Sequence, residues 1–184
     1  MNEKTTNTLI KKRYSPLAFS AQAVETQIMM ACLDAARWAP SAFNEQPWRF
    51  LFVHKHETEN FEKIASTLVA GNKEWAEHAA VLMLVMAKTT FSTNNNPNPF
   101  HLYDTGMAMQ GFLIAAMEHD VLVHQMAGFD ADKARENFGI AEDIRLISVA
   151  AIGYLGKTEA LPEHLQVRAK RERTRKSVEE LLLP

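Results

Sequence analysis

Six cations crowd between Arg168 and Lys176 (Arg168, Lys170, Arg171, Arg173, Arg175 and Lys176) against the single anion Glu172, and a second basic run, Lys11-Lys12-Arg13, lies far upstream. Guanidinium forks match the oxygens of a phosphate, and the hydroxyls and amides of Ser15, Ser41, Asn44 and Gln46 match the polar edge of a flat heterocycle. Together such residues have the chemistry to bind a phosphorylated cofactor. Taken alone, the two runs fit solvated termini better, since a charge run is commonly just a solvated face. The local +5 leaves -7 on the rest of a chain whose formal net charge is -2, so an anionic ligand belongs beside this segment. Nucleic acid is not expected as a partner, because the rest of the chain repels phosphate.

Other chemistries lack their residues. The seven histidines (His54, His56, His78, His101, His119, His124 and His164) show neither an HExxH pattern nor paired-ligand spacing, so no metal is expected. Cys32 is the only cysteine, which excludes an internal disulfide framework and suits a reducing compartment. Neither GxGxxG nor GxxxxGK[ST] occurs. The first thirteen residues are charged without an apolar core, and the longest apolar run, residues 79–87, is too short for a membrane span. A soluble, cytoplasmic protein without membrane contact is expected.

The elements that must position these residues follow from periodicity. A short helix is expected near residues 7–13 and a longer one over 21–38, with Val24, Ile28, Ala31, Cys32 and Ala35 on one face and Pro40 ending it. Residues 48–54 (WRFLFVH) suit a strand covered on both faces, and residues 58–70 a helix with its stripe at Phe61, Ile64, Ala65, Leu68 and Val69. Residues 80–87 (AVLMLVMA) read as a buried central strand, and the Asn/Pro-rich stretch 89–99 as a loop. Residues 100–119 form a helix apolar nearly all round, which must be covered on every side by its own sheet or by a partner subunit. Strands are expected at 121–125 and 145–155, with a short helix between Asp130 as N-cap and Gly139 as stop. Residues 161–176 have few apolar residues and no clear core face. The 47% hydrophobic content suits one packed domain, 1–184, with 157–184 as an extended arm and helices on both faces of one sheet, either α/β or α+β.

Two strings, Arg13-Tyr14-Ser15-Pro16 and Ala39-Pro40-Ser41-Ala42-Phe43-Asn44-Glu45-Gln46-Pro47-Trp48, resemble signatures of the nitroreductase family of FMN-dependent oxidoreductases. Further matches follow in family order: Asn72, Asp104-Thr105-Gly106 with Ala108 and Gln110, Gly128-Phe129-Asp130, Gly153-Tyr154, and Arg173-Thr174-Arg175 before Val178. The resemblance implies an α+β fold with a central, mostly antiparallel sheet flanked by helices, and a homodimer whose C-terminal arm is exchanged between subunits.

It also implies the site. FMN is expected at Arg13, Tyr14, Ser15 and Leu17, with Arg13, Arg173 and Arg175 on its phosphate and Ser15 as a hydroxyl donor. Pro40, Ser41 and Asn44 are expected to reach it from the other subunit, Asn72 to meet the pyrimidine edge of the flavin, and the backbone at Ala127 and Gly128 to approach the ring at N5 and O4. Phe43, Phe100 and Tyr103 are candidate walls of the substrate pocket, and residues 89–99 a cover. Two positions depart from the family pattern: Leu17 and Trp75 stand where many relatives carry a cation facing the flavin, and Lys73 is the nearest substitute for the second. Without a cation there, a lower flavin potential is expected. The implied reaction has NADH or NADPH deliver hydride to the flavin, which then reduces a nitro compound or quinone in a ping-pong cycle with no side-chain acid or base. The alternatives are another flavin reaction on the same fold (flavin or enal reduction, dehalogenation, a biosynthetic dehydrogenation) or an FMN-binding protein without turnover.

Overall fold

The computed structural model describes residues 5–183. The sheet is built outward from β2 (Val81–Lys88), in which every residue through Ala87 is buried. Because side chains alternate along a strand, this one run supplies two cores. Leu82, Leu84 and Met86 face one core with Phe61, Ile64 and Trp75, and Val81, Met83 and Val85 face the other with Met29, Cys32 and Phe112. β1 (Trp48–His54) pairs antiparallel with one side of β2 and β4 (Ile144–Tyr154) with the other, while β3 (Val121–Met126) closes the far edge on β4. The order is therefore β1-β2-β4-β3, all antiparallel. Helices α3 (Thr58–Ala65), α4 (Ala70–Ala76) and α6 (Ala131–Phe138) cover one face, and α2 (Thr26–Ala36) with α5 (His101–Glu118) the other. With α1 (Thr5–Lys12) and α7 (Glu163–Ala169), seven α-helices and one sheet make an α+β fold among the described residues.

Several elements differ from the sequence expectation, each through a contact distant in sequence. α2 begins only at Thr26, because residues 18–20 run extended along the end of β4: Phe19 pairs with Leu155, and Ser20 N–H donates to Tyr154 O at 2.9 Å. The helix expected over 58–70 ends as α3 at Ala65, before the bridge between Leu68 and Phe129, and a separate helix, α4, which was not expected, follows it. β1 is an edge strand, not covered on both faces: Arg49 is exposed, and Phe50 to Phe52 are half-buried. α5 buries Ala108, Met109, Phe112 and Ala116, yet Leu102 and Tyr103 on its first turn are exposed. Residues 161–176 do have a core face, since Leu161 and Leu165 are buried, the latter within α7. The expected caps of α6 are present: the Asp130 carboxylate accepts from Lys133 N–H at 2.9 Å, and Gly139 adopts φ +60°.

The extended segment before α2 is held by a close approach. Gly156 N–H donates to Ala18 O at 3.0 Å, and a Cβ on Gly156 would lie 2.5 Å from the Phe19 carbonyl carbon and oxygen. Gly156→Val is expected to push this segment off β4 and destabilise the protein by about 2–3 kcal/mol, the cost of overpacking against backbone that cannot move aside; chemical denaturation measures it.

Candidate functional site

A cleft of about 550 Å³ opens between the segment following α1 and the segment following α7. Six cations line it, Lys12, Arg13, Arg168, Arg171, Arg173 and Arg175, and among the described residues no aspartate or glutamate does. Arg173 pins the two segments together, its guanidinium donating to the backbone carbonyls of Arg13 and Lys11. Arg13 Nη1 donates to Ser15 Oγ at 3.4 Å, and Arg175 Nη1 to Thr174 O at 2.6 Å. Burial, and then the charges of Arg173 and Arg175, hold the Arg13 guanidinium below its ordinary pKa. Like charges gathered without a counter-charge make a receptor for an anion, and three guanidinium groups are matched to a phosphate dianion. Arg13, Tyr14, Ser15, Leu17, Arg173 and Arg175 are thus brought into one cleft.

Sequence reasoning missed His124, which lines the same cleft. Its Nδ1–H donates to Pro16 O at 2.7 Å, leaving Nε2 as the unprotonated nitrogen, and its ring packs on the Trp75 indole with centroids 4.5 Å apart. Burial pushes its pKa down, the bond to Pro16 opposes this, and Arg168 and Arg13 push it down further. A lone histidine on β3 carries no sequence signal for this role, because both of its partners are distant in sequence.

Asn72 and Gly128 also meet. Asn72 Nδ2 donates to Gly128 O at 3.1 Å, and that oxygen also accepts from Val69 N–H at 3.2 Å. A Cβ on Gly128 would lie 2.9 Å from Asn72 Nδ2 and 3.0 Å from Val69 Cγ2, so the glycine is required for the approach. Neither residue lines the cationic cleft, and Ala127 precedes Gly128 just beyond the end of β3. α4 links the two places: Asn72 is in its first turn, and Trp75, on the same helix, abuts His124.

The two departures are now placed. Leu17 is 4% exposed and Trp75 fully buried, both in the first core. Lys73, the nearest cation to Trp75 in sequence, pairs through its Nζ with Glu62 Oε1 at 2.7 Å on the surface. Among the described residues, the only cations lining the cleft are those named above.

Pro40, Ser41, Phe43, Asn44, Phe100 and Tyr103 do not line this cleft. The turn after α2 is built on Asp104, buried in α5, whose Oδ2 accepts from Ala42 N–H at 3.0 Å. Ser41 Oγ accepts from Gln46 N–H at 3.0 Å, and Glu45 takes the N–H and hydroxyl of Ser92. Within this turn Phe43, Asn44 and Gln46 have φ of 55°, 56° and 51°, the left-handed region in which only Asn is at ease among the three. Phe43 is 89% exposed and meets Phe91 edge-on at 5.6 Å; Phe100 and Tyr103 are exposed near the start of α5.

Residues 10–154 match the Nitroreductase family. A crystal structure described as an oxidoreductase containing FMN superposes with a TM-score of 0.84 at 31% identity, covering 92% of this chain and 86% of that one. A protein of Desulfovibrio desulfuricans provisionally named a nitroreductase and solved in complex with FMN shares the fold, with a TM-score of 0.79 at 21% identity over 100% of this chain and 98% of that one. A protein of Archaeoglobus fulgidus provisionally named NADH dehydrogenase/NAD(P)H nitroreductase is 27% identical over 150 residues, 79% of this chain and 83% of its own. The chain belongs to the nitroreductase family.

The depressed His124 pKa has a signed consequence. The folded imidazole stays neutral while the unfolded one takes up a proton near its ordinary value of 6.5, so stability is full above that pH and falls as pH drops below it. His124→Asn keeps a donor for Pro16 O and removes the titration. Denaturant unfolding at pH 7.5 and 5.5 is expected to show a smaller acid loss in the variant than in the native protein; equal losses would remove His124 from this role.

Proposed function

We propose that this family member is a flavin-dependent oxidoreductase that binds FMN, takes electrons from NADH or NADPH, and passes them in pairs to a small-molecule nitro compound or quinone by a ping-pong cycle. The observation that carries this reading is the carboxylate-free cationic cleft, whose donors fit a phosphate monoester. Further support comes from the 31% identical relative described as containing FMN and the relative named for NAD(P)H.

Arg13 and Arg175 hold the phosphate, Ser15 adds a hydroxyl donor, and Arg173, already spanning Lys11 O and Arg13 O, keeps the arginines at that spacing. When bound, FMN would accept and donate the hydride. Asn72 and the backbone at Ala127 and Gly128 approach the ring, while Leu17 and Trp75 exclude water behind it and offer no positive charge. A group gaining negative charge there is stabilised less than beside a cation, so a low potential is expected. An FMN-binding protein without turnover is the second reading, favoured by these two apolar residues; steady-state NAD(P)H oxidation separates the two.

The working unit is proposed to be a homodimer in the cytoplasm. Pro40, Ser41 and Asn44 complete the partner's flavin site, with Phe43, Phe100 and Tyr103 as walls for the acceptor. Within the arm 157–184, residues up to Arg175 are held by this chain's own core and cleft, and the exchange is proposed for the tail beyond, a reading supported by the exposure of Val178, Leu181 and Leu182 (68%, 68% and 69%). No helix among the described residues is long and apolar enough to cross a membrane.

The purified protein is expected to be yellow, to release FMN on heating, and to bleach with NADH or NADPH without oxygen; protein that stays colourless after FMN is added would overturn the reading. Arg13→Ala is expected to weaken FMN binding about 10- to 100-fold, the worth of charge-assisted hydrogen bonds, as read by quenching of flavin fluorescence.

A further inference from the structure

We propose that Lys12, Arg168 and Arg171 form a second anion subsite in the cationic cleft, beside Arg13, Arg173 and Arg175, and that it takes a second phosphate group carried by a dinucleotide. This deepens the FMN reading and rests on it.

The six cations divide by what their side chains already hold. Arg173 and Arg175 donate to backbone carbonyls, and Arg13 to the Ser15 hydroxyl. Lys12, Arg168 and Arg171 have no hydrogen-bond or ion-pair partner among the described residues, yet all three line the cleft. They come from both rims: Lys12 is the last residue of α1, Arg168 lies in the last turn of α7, and Arg171 follows that helix. The charge of Arg168 bears on His124 ahead of that of Arg13, which sets it against the wall of the cleft.

Charge counting points the same way. One phosphate monoester carries about -1.5 to -2, which leaves most of six positive charges uncompensated. Among the described residues no carboxylate lines the cleft to offset them. A second phosphate offsets much of the remainder, and about 550 Å³ has room for more than one such group. Two ligands supply this chemistry: a nicotinamide dinucleotide with a 2′-phosphate, and a flavin whose own phosphate is extended to a diphosphate.

The test compares probes that differ by one phosphate, at about 50 mM salt, where such contacts are weakly screened. On the FMN-loaded protein, calorimetry compares 2′,5′-ADP with 5′-AMP; a fluorescence competition compares FAD with FMN. The native protein is expected to prefer the two-phosphate member of one pair about tenfold or more, as charge-assisted contacts allow. A win for 2′,5′-ADP identifies the donor dinucleotide, and a win for FAD the flavin's diphosphate. The double variant Arg168→Gln, Arg171→Gln is expected to reduce that preference below about twofold while FMN still binds. No preference in either pair, or a preference that survives in the double variant, overturns the subsite. Failure of the native protein to bind FMN overturns the cofactor reading instead.

Discussion

Six positive side chains held around one cleft repel one another, and neutral contacts must keep them there. These are the bonds from Arg173 to two backbone carbonyls, the pairing of Phe19 with Leu155, and the Gly156 bond to Ala18. None of them supplies a negative charge. Electrostatic tension is therefore a property of the folded state; burial first, and then the charges of Arg173 and Arg175, lower the affinity of Arg13 for its proton. A ligand that relieves the tension gains more than its direct contacts, because repulsion among the arginines falls when it binds.

Away from the arginines the same wall turns neutral. Leu17 and Trp75 are closed into the core, and His124 between them is kept uncharged by burial and by neighbouring arginines. The sheet makes this contrast possible. Its first core backs Leu17 and Trp75, whereas the guanidinium groups come from segments outside the sheet that carry their own solvent contact. An anion held here thus has a charged end and an apolar end, which fixes its orientation.

Much of this was legible in the sequence, and what was not has a common cause. The strands β1, β2 and β4 follow from short apolar runs, and the α6 caps from Asp130 and Gly139. The late start of α2 and the break between α3 and α4 were not legible, because Ser20 bonds to Tyr154 and Leu68 pairs with Phe129 across long stretches of chain that helical periodicity does not register. At the site, resemblance nominated Arg13, Ser15, Arg173 and Arg175, which do share a cleft, and Asn72 with Gly128, which do touch. His124 has no motif around it, nor does the pairing of Lys73 with Glu62, eleven residues upstream. The turn at residues 40–46 lies away from the cleft within one chain.

The bond between Arg173 and the Arg13 carbonyl joins positions 160 residues apart. During synthesis Arg13 is polymerised first, and at ribosomal rates on the order of 10 s passes before Arg173 follows. All four strands have been made by then. β4, the strand that joins β2 to β3, lies shortly before Arg173 in the chain, so the sheet and the anion cleft are completed together, at the end of translation.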